Sequence, residues 1–385
     1  MKLDPKTKFE LFQKNNNFCS VPWNLFYIDT DGQVEICTKS NKASQCNINN
    51  VDIEEILLNP IRLDIKTKML ADQPVNSCNS CHQLENQGNG TNSYQYLRNM
   101  YNKNFVGQDI EYTDVTQFIF SALDLHWSSI CDLKCVTCWA KQSSSIALEQ
   151  GLPISHTKTA PTLKLIDTIV KNQSTLQEVY LSGGEPTLIK YNLNLLTKLE
   201  KRQDLLIRVN TNMMWSQDNA IIQEILKFPN VMFTCSADNL TNKFEYIRRG
   251  ATWGRFIENL IFLTNKPNVK LRINSVFCVV SALDIIDTID YFNKNYNIDN
   301  FTINQCSMGH TYLRCRNLSD ANKQLVKDQL EQAKLKYFDN LNLVGSFNNC
   351  LTEIAQHRTE SYIDYFNKID QLEGTQFGNI FPELV

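Results

Sequence analysis

Between residues 118 and 304, short β-branched and aromatic runs alternate with amphipathic helical stretches. That alternation constrains the fold most, because repeated β-α units assemble around a parallel sheet. The predicted strands are 118–125, 178–181, 205–210, 231–236, 270–280 and 300–304, with helices at 163–171, 193–202, 219–228, 256–264 and 285–293 between them. The expected fold class is therefore α/β, a partial (β/α)6 barrel of the TIM type over 117–310. Residues 319–336 read as a helix capped by Ser319 or Asp320, within a helical C-terminal extension, 311–385.

Composition narrows the function. The formal net charge is -3 and no long run of Lys or Arg occurs, which argues against nonspecific binding to nucleic acid. No apolar stretch approaches the roughly 20 residues that span a bilayer, and residues 1–12 mix charges with Phe and Leu instead of forming a signal-peptide core. A cytoplasmic protein is expected. In a reducing cytoplasm, 13 cysteines, an odd number, are a poor disulfide framework, so metal binding is the better explanation. Cys235, Cys278 and Cys350 lie in or near apolar runs and are expected to be buried thiols.

Cys131, Cys135 and Cys138 form a C-x3-C-x2-C motif just past the first predicted strand. Three thiolates hold three irons of a four-iron cube and leave the fourth open to a small molecule, whereas a structural zinc usually takes four protein ligands. About forty-five residues later Gly183-Gly184-Glu185-Pro186 follows the second predicted strand. Its glycines permit close backbone approach to a ligand at the strand ends, where parallel β-α folds bind ligands.

Together these motifs resemble the radical SAM superfamily, and the resemblance extends over about residues 118–305. It implies a [4Fe-4S] cluster on Cys131, Cys135 and Cys138 whose open iron chelates S-adenosylmethionine. Reductive cleavage would then give a 5'-deoxyadenosyl radical that takes a hydrogen from substrate. By the same resemblance Gly183, Gly184, Glu185 and Pro186 contact the methionine amino group, and Ser236 (in Ser236-Ala-Asp238) and Arg248 (in Arg248-Arg249-Gly250) its carboxylate. Asn210-Thr211-Asn212 occupies the place of the family's TNG segment, with Met213 where the glycine would stand. The aromatic residue often found just before the third cysteine is replaced by Thr137, with Trp139 one place after Cys138.

A second cysteine set lies in residues 1–85, where Cys19 and Cys37 flank Gly32 and Cys78 and Cys81 form a C-x2-C pair. The spacing alone fits a four-iron cluster or a zinc ion. It is similar to a shortened SPASM motif, a twitch domain, placed before the barrel and joined to it by a polar connector, 86–116, with a short helix expected at 94–101. That resemblance implies one auxiliary [4Fe-4S] cluster serving electron transfer. Cys46 and His82 are not assigned as ligands.

Asp124 and His126 are two apart at the end of the first strand and should share a face. Cys306 and Cys315 are candidate rim thiols, and Glu353 and His357 lack a third partner. The whole reads as a radical SAM oxidoreductase or modifying enzyme reduced by flavodoxin or ferredoxin. Its substrate would be a peptide or protein side chain, or a small molecule or nucleotide derivative. The competing reading is a noncatalytic zinc-stapled binding module.

Overall fold

A computed structural model describes residues 15–38, 40, 46–79, 81–82, 113–306 and 308–385. The helix expected at 94–101 lies outside them. The chain forms two compact units, one of Met1–Ile130, Pro153–Val209 and Asp218–Val231, the other of Cys131–Leu152, Asn210–Gln217 and Met232–Val385.

The first unit is built on β1 (Leu25–Ile28), β2 (Gln33–Glu35), β3 (Cys46–Asn47), β4 (Ala122–Leu125), β5 (Glu178–Leu181) and β6 (Leu206–Thr211). Their order is β3-β2-β1-β4-β5-β6. The β1/β4, β4/β5 and β5/β6 pairs are parallel, and β1/β2 and β2/β3 antiparallel. The cysteine-rich N-terminal part thus continues the sheet of the barrel strands, and β1 covers the edge that β4 would otherwise leave unpaired.

Side-chain alternation gives this sheet two unlike faces. Phe26, Leu123, Val179 and Ile207 align in register and are almost wholly buried. Each such side chain contributes about 1.5–3 kcal/mol. The next row, on the other face, is Tyr27, Asp124, Tyr180 and Arg208.

The second unit contains β7 (Val231–Ser236), β8 (Val269–Phe277) and β9 (Asn300–Gln305) in that order, with β8 and β9 parallel over six residue pairs from Arg272↔Asn300 to Phe277↔Gln305. The fold is α/β, mostly parallel and not closed into a barrel. Helices follow Asp320–Lys336, Leu341–Ile354 and Ile363–Glu373, the first capped by Ser319, whose hydroxyl accepts from the Asn322 amide.

Strands 178–181 and 231–236 fall where expected. The first barrel strand starts four residues later than predicted. Phe118 and Phe120 pack on each other and on Phe26, the Arg62 guanidinium lies over Phe118, and Ile119 donates its amide to the Trp23 carbonyl. Aromatic content made this stretch read as strand, but packing holds it irregular. No helix among the described residues is long and apolar enough to cross a membrane.

Candidate active site

The central cysteine loop belongs to the second unit. Its two apolar residues, Leu133 and Val136, are buried, while Cys131, Cys135 and Cys138 are each partly exposed. The loop backbone is held on every side. Lys134 and Val136 donate their amides to the Arg249 and Ile247 carbonyls at 2.9 and 2.8 Å. Ser143 donates to the Leu133 carbonyl at 2.6 Å, and Ser145 to that of Cys131 at 2.8 Å. Tyr365 donates to the Val136 carbonyl at 2.8 Å, and His310 Nε2 to that of Cys138 at 2.9 Å.

Arg248, expected from the resemblance to contact the methionine carboxylate, lies against a sulfur of the loop. Its Nη1 lies 3.9 Å from Cys135 Sγ, and its Nη2 pairs with Asp238 Oδ2 at 3.0 Å. Asp238 is wholly buried and accepts the Val276 amide at 2.8 Å. Arg248 Nε is buried without a partner among the described residues. Burial raises both the Cys135 and Cys138 thiols, that of Cys138 to about 12, and the Arg248 charge opposes the rise. Metal ligation requires thiolates, so a cluster and the guanidinium act in the same direction here.

Gly250 keeps φ at +96°, and a Cβ there would stand 3.3 Å from Leu133 Cδ2. Met213 holds φ at +68° although it is not glycine. Its side chain is buried, and its carbonyl accepts from Asn259 Nδ2 at 2.8 Å. Asn212 Nδ2 donates to Asp132 Oδ1 at 2.7 Å, tying this turn to the cysteine loop. Ser236 is 8% exposed, with its hydroxyl 3.4 Å from Asn210 Oδ1.

In the first unit, Gly183-Gly184-Glu185-Pro186 lies against the residues that lead into Cys131. The Gly184 and Glu185 amides donate to the Ser128 and Ile130 carbonyls at 2.9 and 2.7 Å. A Cβ on Gly184 would meet the Ile130 oxygen at 2.1 Å, and Gly183 has φ +110° with the Ser128 oxygen 2.8 Å from its Cβ position. The glycines were expected to admit a ligand; in the structure they admit another segment of the chain's own backbone. The Glu185 carboxylate is buried and accepts from the Thr187 amide and hydroxyl at 3.2 and 2.7 Å.

Asp124 and His126 share a face as expected: His126 Nε2 lies 2.8 Å from Asp124 Oδ1, and its ring is edge-on to Tyr27 and Tyr180. Cys306 and Cys315 are buried, as are Cys235, Cys278 and Cys350. Glu353 pairs with Arg316 at 2.9 Å, a structural use.

Among the N-terminal thiols, Cys19, Cys37 and Cys78 pack against one apolar cluster that includes Phe18, Trp23, Ile36 and Val75. Phe18 and Ile36 each immediately precede a cysteine, so their burial carries those thiols to a common wall. Cys81 is partly exposed, and Cys46 is a buried thiol whose sulfur accepts from Asn59 Nδ2 at 3.0 Å. Beneath this region Arg62 and Lys66 are buried against main-chain carbonyls, those of Pro22 and Leu25 for Arg62 and of Val115 and Gln117 for Lys66.

Among the described residues, no three His, Cys, Asp or Glu side chains converge as a single metal ion would need. A four-iron cube takes its thiolates on separate corners, and a loop with three partly exposed cysteines, a guanidinium at one sulfur and an unpartnered buried N–H fits that group.

The family model of the Radical SAM superfamily matches residues 125–277. The chain contains a radical SAM domain. Three solved structures are similar to parts of the chain. The first, anSMEcpe with bound AdoMet, is 17% identical over 58% of this chain and 60% of its own, with TM-score 0.42. Streptococcus suis SuiB bound to precursor peptide SuiA is 18% identical over 75% and 66%, with TM-score 0.43. TYW1 with a lysine-pyruvate adduct bound is 17% identical over 54% and 71%, with TM-score 0.34. The chain thus spans about three fifths of the first of these. No curated protein matches the chain. The radical SAM domain encloses the cysteine loop, the Gly183–Pro186 turn, Ser236 and Arg248, while His310 and Tyr365 fall outside it. Those two were not assigned from sequence, because Tyr365 meets a carbonyl 229 positions away and no local pattern marks such a contact.

Proposed function

We propose that the chain is a radical SAM enzyme in which Cys131, Cys135 and Cys138 hold a [4Fe-4S] cluster that binds S-adenosylmethionine. The observation that carries this reading is the partly exposed, backbone-pinned cysteine loop with Arg248 at the Cys135 sulfur. When bound, the cluster and S-adenosylmethionine supply a radical that abstracts hydrogen from an organic substrate.

The chain's own residues supply position and charge. Leu133 and Val136 anchor the loop. Arg248, held by Asp238, offsets thiolate charge at Cys135 and directs its remaining N–H groups to an anion such as the methionine carboxylate. Ser236 is assigned to the same carboxylate. Gly183, Gly184, Glu185 and Pro186 are assigned to the methionine amino group, with the buried Glu185 carboxylate fixing the turn through Thr187. Cys19, Cys37, Cys78 and Cys81 are assigned to an auxiliary [4Fe-4S] cluster that passes electrons, and a flavodoxin or ferredoxin is the expected reductant. The substrate class stays as the resemblance leaves it, a peptide or protein side chain, or a small molecule or nucleotide derivative.

The test is anaerobic reconstitution with iron and sulfide counting, then addition of dithionite and S-adenosylmethionine. Formation of 5'-deoxyadenosine is the expected result. A protein with intact clusters that forms none overturns the reading.

A further inference from the structure

The C-terminal residues beyond the matched domain carry no assigned role, yet three of them reach the cysteine loop. Tyr365 donates to the carbonyl of Val136, the residue after Cys135, while the Val136 amide donates to the Ile247 carbonyl, so the peptide groups on both sides of Val136 are held. His310 Nε2 meets the Cys138 carbonyl at 2.9 Å. A carbonyl only accepts, so Nε2 carries the proton, and Nδ1 accepts from the Tyr312 hydroxyl at 2.6 Å. The Tyr312 and Tyr365 rings pack 4.8 Å apart, which joins the two clamps into one aromatic block. Glu373 pairs with Lys134 at 2.8 Å and with Arg249.

Tyr365 and Glu373 lie on the one Ile363–Glu373 helix, eight residues or about 12 Å apart along its axis. The helix therefore touches the loop near both of its ends. It is also fixed independently of the loop: Tyr246 donates to Asp370 Oδ1 at 2.9 Å, and Phe366 stacks on Phe377 at 4.2 Å. A clamp built on an element that is itself packed is preorganised.

We propose that the C-terminal extension is part of the cofactor-holding machinery, with Tyr365 and His310 as positioning residues that fix the carbonyls between and at the cluster thiols. This rests on the reading of Cys131, Cys135 and Cys138 as cluster ligands. Gathering three thiolates on one short loop costs ordering entropy and charge repulsion, and bonds made to the backbone before the cluster arrives lower both the search and the rate of loss.

The test uses the reconstituted full-length protein and follows iron release to a chelator under anaerobic conditions, reading only the phase that Cys131→Ala abolishes. Tyr365→Phe keeps the ring and removes one hydrogen bond. The expected result is about fivefold to tenfold faster release, the equivalent of one hydrogen bond, together with a changed EPR spectrum of the reduced cluster. His310→Gln, which loses the ring and the Tyr312 contact, should act in the same direction. Tyr362→Phe is the control, since its hydroxyl bonds the Leu384 carbonyl at 3.1 Å within the extension. It should leave release and the EPR spectrum unchanged even if it lowers the unfolding temperature. Release at the wild-type rate from Tyr365→Phe overturns the proposal, as does equal acceleration by Tyr362→Phe. A wild-type protein that shows no Cys131-dependent iron phase defeats the cluster reading itself, and the proposal with it.

Discussion

The two cysteine sets reach their positions by opposite means. Cys131, Cys135 and Cys138 sit within eight consecutive residues, and hydrogen bonds from Ser143, Ser145, His310 and Tyr365 hold the peptide between them. Cys19, Cys37, Cys78 and Cys81 are scattered over some sixty residues, and three of them are brought to one wall by burial of apolar neighbours. A short loop pays little closure entropy and can be shaped in advance; a dispersed set pays more and gains more from a metal that ties it together. The difference suits an exchangeable small-molecule site in the centre and a closed, structural or electron-carrying centre at the N-terminus.

Four changes break or sharpen that contrast. Cysteine replacement has the largest effect. Cys131→Ala should remove the central cluster and leave about four irons at the N-terminal set, whereas Cys78→Ala with Cys81→Ala should do the reverse and also raise protease sensitivity near residues 15–82. Iron and sulfide analysis with limited proteolysis reads both. Loss of all iron from a folded Cys131→Ala protein would show that the two sets are not independent.

Next in size is Gly184→Ala. Its Cβ would stand 2.1 Å from the Ile130 oxygen, a backbone atom that cannot step aside alone. The expected cost is about 3 kcal/mol or more in a denaturant titration, with weakened central iron and an unaffected N-terminal cluster. Met213→Gly is smaller. It relieves about 1 kcal/mol of left-handed strain but forfeits about 2–3 kcal/mol of buried side chain, so a net loss near 1–2 kcal/mol is expected. A gain in stability would mean that strain outweighs packing at this turn.

The last is a pH slope set by one residue of the N-terminal region. Burial lowers Lys66 from the ordinary 10.5 to about 7. Between those values the unfolded chain binds the proton and the folded chain does not, so this residue makes stability rise as pH increases from about 7 toward 10.5, and adds no slope below 7. Urea midpoints measured across that window should show a rise that Lys66→Met removes. An identical slope in the variant would assign it elsewhere.

Much of the fold was legible because its determinants are local. Strands Glu178–Leu181 and Val231–Ser236 announce themselves by apolar runs between turn residues, and Ser319 by its place before a helical pattern. Phe118 and Phe120 misled because aromatic content does not distinguish a strand from rings packed on Phe26. In the candidate site, spacing singled out the central thiols and the resemblance singled out Arg248, while the side chains that contact them stayed hidden. Asp238 pairs with Arg248, and Tyr365 with Val136, through folding rather than through any pattern in the chain. The left-handed turn at Met213 was likewise unmarked, because a positive φ is normally signalled by glycine.

The central claim is that the Cys131–Cys135–Cys138 cluster keeps one coordination position for S-adenosylmethionine. It is tested most directly by EPR of the dithionite-reduced protein carrying Cys78→Ala and Cys81→Ala, recorded with and without S-adenosylmethionine. A cluster signal that changes on addition, and that is missing when Cys131 is also replaced, is the expected result. A signal from an intact central cluster that does not respond to S-adenosylmethionine would contradict the claim.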